Sequence, residues 1–192
     1  MPEPTPKNIE RIDKMPEAIT LNVKEWSGKW LVNDAYRPIA TQLCRKFDNE
    51  LGHINTRTVL FLDDRESKAI TKGRKTFAAT GKVPAMWNET IEQLTGRNFS
   101  HFIVFYKKNM ELMSREQVCA LVYHELRHIG LEGDLKPHHI EDWVEMIEKL
   151  GVNWAVTRAS IPDLLDDSVV DWNDIQGPLT LFPEQANLSL AK

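Results

Sequence analysis

The sequence predicts an α+β fold: a small mixed β-sheet packed on helices, with one central buried helix. Three observations carry this. His101-Phe102-Ile103-Val104-Phe105-Tyr106 is a run of β-branched and aromatic residues, the strongest strand signal in the chain. Thr58-Val59-Leu60-Phe61-Leu62 is a second short apolar run of the kind that forms a buried strand. Val118-Cys119-Ala120-Leu121-Val122 is apolar on every side, which marks a helix inside a core rather than on a surface. At 192 residues the chain is long enough for one ordinary domain with appendages.

In chain order, residues 1–18 read as a flexible lead-in, because Pro2, Pro4, Pro6 and Pro16 stand among mostly polar neighbours. Residues 19–156 form the expected domain. Ile19-Thr20-Leu21-Asn22-Val23 alternates apolar and polar residues as a strand does. Asn33 to Leu51 is an expected helix with Ile39, Leu43, Phe47 and Leu51 on one stripe and Gly52 as its stop. The strand at Thr58 to Leu62 is expected to end at Asp63-Asp64. The basic stretch Arg65, Lys68, Lys72, Arg74, Lys75 reads as a solvated hairpin or loop, since it lacks interleaved aromatics. Thr76 to Thr80 is a further strand running to a turn at Gly81, and Asn88 to Leu94 a short helix closed by Gly96. A last helix is expected after Pro137, with Ile140, Trp143, Val144, Ile147 and Leu150 at amphipathic spacing. Residues 157–192 form an acidic C-terminal arm, and Trp172, Leu181 and Phe182 in it favour packing over the domain.

The formal net charge is −4, and residues 161–192 hold six acids against one base, so the rest of the chain is nearly balanced. Nucleic acid is therefore not indicated as a partner. No apolar run approaches the ~20 residues that span a bilayer. The start of the chain lacks the basic and apolar regions of a signal peptide. Cys44 and Cys119 fall in expected helices without C-x-x-C spacing, as buried free thiols of a reducing compartment do. The expected location is cytoplasmic.

The central helix carries His124-Glu125-Leu126-Arg127-His128, an H-E-x-x-H pattern. Two His four residues apart project from one helix face, so both imidazoles can meet a single Zn²⁺. Glu125 is then placed to activate a water at the metal rather than to bind the metal itself. Ser114 and Gln117 form an expected capping box at the helix start, with Met113 and Val118 spaced as a staple. Gly130 and Gly133 are expected to break the helix after His128. Leaving these residues as ordinary core histidines would bury several polar groups on one helix without visible partners.

Catalytic zinc usually takes three protein ligands. Candidates for the third are Asp134, Glu141, Glu145, His138 and His139; His124, His128, His138 and His139 cluster within a short stretch. Imidazole is the better zinc donor at neutral pH. Helical periodicity leans to His139, which flanks the apolar stripe. His53 and His101 lie outside the cluster and read as structural or surface residues.

The segment Tyr123 to His128, with Lys136-Pro137-His138-His139-Ile140-Glu141-Asp142-Trp143 and Leu150-Gly151-Val152-Asn153-Trp154, resembles the phage metallopeptidase family. That family joins an H-E-L-x-H helix to a downstream P-H-x-x-E segment and a closing G-x-W. The resemblance implies a zincin-like domain and a zinc-dependent peptidase, located in a host cytoplasm if phage-encoded. It implies metal ligands His124, His128 and His138, Glu125 as the catalytic base, and a protein or peptide as substrate. His139 stands here where the family has Asp, and Tyr123 where members often have Asp. An alternative of another class is a zinc-stabilised, non-catalytic phage protein that binds a host or phage partner. The strand at 101–106, placed just before the metal helix, would offer backbone groups to an extended peptide if it lay at the sheet edge.

Overall fold

A computed structural model describes residues 28–138 and 142–177. The expected strand at Ile19 to Val23, the lead-in, Leu181, Phe182, His139 and Glu141 lie outside the described residues.

The chain begins with β1 (Trp30–Val32) and α1 (Tyr36–Lys46), followed by the short α2 (Asp48–Leu51) and β2 (Val59–Asp64). A small hairpin, β3 (Ile70–Thr71) and β4 (Arg74–Lys75), leads into β5 (Ala78–Lys82) and α3 (Ala85–Thr95). Then come β6 (His101–Tyr106), one turn of helix α4 (Lys107–Met110), the long central α5 (Arg115–Leu126) and α6 (Val144–Leu150). The main sheet has the order β1-β2-β6-β5. Its central pair β2 and β6 is parallel and both outer pairs are antiparallel, so the sheet is mixed. The architecture is the α+β class read from the sequence, compatible with a zincin-like domain.

The two apolar runs become the two inner strands because each has neighbours on both edges, which removes their backbone groups from water. The condition under which 101–106 would offer its backbone to a peptide is not met: β6 is internal, and β5 stands at the edge. β2 also runs further than expected, through Asp63 and Asp64, both buried. Burial is tolerated because Tyr36 Oη and Asn33 Nδ2 donate to Asp63 at 3.1 and 2.9 Å, while the Glu66 and Ser67 N–H groups donate to Asp64. Gly81 lies within β5 rather than in a turn; a Cβ there would stand 2.4 Å from the Phe102 ring, so the residue is small for packing.

The first expected helix is two helices, broken at Phe47, whose ψ of 55° is not helical. Phe47 uses the break to pack edge-on against Tyr123 of α5, with ring centroids 4.9 Å apart. α3 spans Ala85–Thr95 and ends at Gly96 with φ 68°, as its sequence suggested. Residues 65–75 form the expected solvated hairpin.

α5 begins with the capping box: Ser114 Oγ accepts from Gln117 N at 3.2 Å and Gln117 Oε1 from Ser114 N at 2.8 Å. Val118 to Tyr123 are all buried against α1 and the sheet. The segment after α6 closes over the other side of α5. Ile161, Leu164, Val169, Trp172 and Ile175 belong to the same core, and Trp172 Nε1 donates to Tyr123 Oη at 2.9 Å. Gln117 Nε2 ties it further by donating to the carbonyls of Trp154 and Thr157.

Candidate metal centre

The regular part of α5 stops at Leu126, two residues before His128 and ahead of the expected break at Gly130. Arg127 keeps helical angles and His128 N bonds to Glu125 O, so one tightened turn still carries His128 round beneath His124. Their ring centroids lie 5.3 Å apart. Beyond them the chain folds back on itself: Gly130 N donates to Asp134 O and Lys136 N to His128 O. The Asp134 carboxylate lies so close to Gly130 that a Cβ there would be 2.0 Å from Oδ1. Asp134 thereby closes the loop and is not among the clustered ligand atoms.

That return delivers His138. No helix starts at Pro137 as expected; α6 begins only at Val144, because Asp142 Oδ1 accepts the Trp143 N–H and Trp143 is extended at ψ 132°. The backbone at His138 is not helical, and His139 lies outside the described residues. Glu145, a further candidate, faces Arg127 at 3.8 Å. His124, His128 and His138 each offer one ring nitrogen, all within 4.8 Å of one another. The Nε2 atoms of His124 and His138 are 2.9 Å apart.

The opposite nitrogens of the two helix histidines are committed. His124 Nδ1–H donates to Asp142 Oδ1 at 2.8 Å, and His128 Nδ1–H to the Lys136 carbonyl at 2.7 Å. In the neutral rings this leaves Nε2 as a bare acceptor, the tautomer that binds a metal. Asp142 is itself held, by Trp154 Nε1–H on Oδ2 at 2.8 Å. Trp143 sits against all three imidazoles, with centroids 5.1 to 6.3 Å away, and its Nε1–H donates to the His124 carbonyl.

Electrostatics follow this wiring. Burial pulls the His124 pKa down, but the Asp142 hydrogen bond and the charges of Glu125 and Asp142 outweigh it and hold it above the ordinary value. Burial and the neighbouring His124 and His128 push His138 down to about 4, so its ring is neutral where peptide chemistry runs. Burial would raise Asp142, yet the His124 contact and the bonds from Trp154 and Trp143 N keep it below the usual carboxylate range. Three imidazole donors suit a borderline ion such as zinc better than Mg²⁺ or Ca²⁺, which seek oxygen. The donor set fits a metal.

Glu125 is only 3% exposed and points to the edge strand, where Thr80 Oγ1 donates to its Oε2 at 2.7 Å. Among the described residues, Oε1 receives no hydrogen bond. Sequence reasoning missed Thr80, Asp142, Trp143 and Trp154 as parts of this site. The tryptophans of the downstream segment and of Gly151-Val152-Asn153-Trp154 were the available signal for two of them. His53 and His101 prove structural: His53 Nε2 meets the Ile129 carbonyl at 2.9 Å and His101 Nε2 that of Gly133 at 3.1 Å, bracing the loop that returns His138. Tyr123 faces Phe47 and Trp172 in the core. No helix among the described residues is long and apolar enough to cross a membrane.

A family model described as "Putative phage metallopeptidase" matches residues 28–167, a span that contains every residue of this site. Comparisons with curated proteins and with solved structures gave no match.

Proposed function

This chain belongs to the phage metallopeptidase family, and on that premise we propose that it hydrolyses peptide bonds with zinc held by His124, His128 and His138 and with Glu125 as general base. The observation that carries the reading is the convergence of three imidazole nitrogens within 4.8 Å, beside a buried carboxylate whose Oε1 is left to act.

The chemistry supplied by a three-imidazole zinc site is Lewis acidity, which acidifies water toward neutral pH and polarises a carbonyl oxygen. The protein's own residues do the rest. β5, at the sheet edge, presents backbone groups along which an extended polypeptide can lie beside Glu125. Glu125 Oε1 takes a proton from the water whose oxygen adds to the scissile carbonyl carbon. The same carboxyl then returns the proton to the amine nitrogen as the C–N bond breaks, so acid and amine leave with the atoms of one water. Thr80 holds Oε2 through both transfers. Asp142 and the Lys136 carbonyl keep His124 and His128 in the metal-binding tautomer.

The test is paired. Purified protein is assayed for bound metal, and wild type and Glu125→Gln are incubated with a host-cell lysate while new peptide termini are recorded. Termini that appear with wild type and not with the variant support the reading. A metal-loaded protein that generates no termini under any condition returns the non-catalytic binding protein to first place.

A further inference from the structure

The β3–β4 hairpin is a built object rather than a slack loop. An isolated two-stranded hairpin is marginal in water, yet this one is pinned at its root: Asn109 Nδ2 donates to the carbonyls of Ala69 and Thr76 at 2.8 and 2.7 Å. Thr76 Oγ1 donates to Thr71 Oγ1 at 2.7 Å across it. Residues 65–75 hold five basic side chains and one acid, net +4, on a chain whose remainder carries −8. Lys68, Lys72 and Lys75 are exposed, and among the described residues none of the three has an ion-pair partner. Exposed Lys108 adds a further cation next to Asn109. Lys72 keeps its place at the tip with φ 49°, a left-handed backbone that Gly or Asn would accept with less strain.

This arm is continuous with the edge strand that lies along the candidate site. Lys75 precedes Thr80 by five residues, and Thr80 bonds Glu125. At strand spacing that is about 16 Å, the reach of a short extended segment. A polypeptide lying along β5 would therefore run onto the arm. The arm has no aromatic residue on which bases could stack, and it exposes Ile70 to 68% among its cations. Mixed apolar and cationic lining of this kind suits an acidic peptide better than a phosphate backbone.

We propose that the β3–β4 hairpin is a cationic arm that selects polypeptide substrates with an acidic stretch about five residues to one side of the scissile bond. The inference rests on the peptidase reading for the word substrate, but the binding it requires is measurable without turnover. The probes are two fluorescein-labelled peptides of about ten residues, one rich in Glu and Leu and one with Gln for every Glu, together with a DNA duplex of about 20 base pairs. Binding is followed by fluorescence anisotropy to Glu125→Gln protein with and without Lys68→Gln, Lys72→Gln and Lys75→Gln. The acidic peptide is expected to bind about tenfold more tightly than the Gln peptide in about 50 mM salt and to lose that preference in about 500 mM salt. The triple lysine variant should lose it at both. The charge-reversed variant Lys68→Glu, Lys72→Glu, Lys75→Glu should fall below the Gln variant for the acidic peptide.

No preference in the parent, or an equal preference in the triple variant, overturns the arm. So does tighter binding of the duplex than of the acidic peptide. Acid-selective binding in a wild-type protein that generates no new termini from the host-cell lysate under any condition keeps the arm and removes the peptidase reading. Cleavage without selectivity does the reverse.

Discussion

Asp142 accepts the Nδ1–H of His124 at 2.8 Å, which turns the other nitrogen of that ring toward His138, 2.9 Å away. A residue eighteen positions downstream thus decides which face of a helix histidine is basic. Asp142→Asn keeps the shape and weakens the acceptor. Metal affinity is expected to fall by about 10–100-fold with the fold retained. Competition with a chromophoric chelator measures it, and an unchanged affinity would remove Asp142 from the site.

Loss of a ligand is more severe than loss of its support. Purified wild type is expected to carry about one zinc per chain, and His138→Ala to lose more affinity than Asp142→Asn. Elemental analysis after gel filtration reads both. Metal retained at wild-type level in His138→Ala would hand the third position to another residue. Because the site does not exist in the unfolded chain, chelation is also expected to lower the melting temperature.

Glu125→Gln retains size and can still accept the Thr80 hydroxyl. It removes the base, so turnover of any substrate found should drop by at least about 10²-fold. The circular dichroism spectrum and metal content should stay as in wild type. Activity within a few-fold of wild type would exclude Glu125 as the proton acceptor.

Cys44 and Cys119 are both buried, and burial pushes each thiol up to about 12. The native protein at pH 8 should therefore react slowly with an aromatic disulfide reagent, and both thiols should react at once in denaturant. The linkage has a definite sign. A thiol whose folded pKa lies above its unfolded value of ~8.5 favours the fold fully below that value. Its contribution is lost as pH rises from there toward about 12. Chemical denaturation should show stability declining across that alkaline window, and declining less in Cys44→Ala/Cys119→Ala relative to its own value at pH 8.

Trp172 tests whether the segment after α6 is structural. Its ring lies 5.2 Å from Phe47 and 5.1 Å from Tyr123, in the core behind α5. Trp172→Ala should cost about 3–5 kcal/mol. Trp172→Phe, which loses mainly the bond to Tyr123 Oη, should cost about 1 kcal/mol. Urea unfolding distinguishes the two; equal small losses would mean the segment is only loosely held.

The sequence by itself determined the α+β class, the two apolar strands, the capped and buried α5, and the placing of His124 and His128 on one side of the chain as it leaves that helix. These depend on local signals: β-branched runs, a capping box, an all-round apolar helix, and an i, i+4 spacing that puts two rings on one face whatever surrounds them. The tertiary structure alone decided which strand forms the edge, because pairing partners are not encoded within a strand. It decided that Asp63 and Asp64 continue β2, since the donors that satisfy their carboxylates, on Tyr36, Asn33 and the following turn, are distant or conformational. It also decided that His138 arrives on an extended return rather than on a helix. Periodicity predicted a helix there, but the Asp142 carboxylate captures the Trp143 N–H and delays the helix to Val144. Thr80, Asp142 and Trp154 belong to the site only through contacts between segments far apart in the chain, and such contacts leave no periodic trace in the residues that make them.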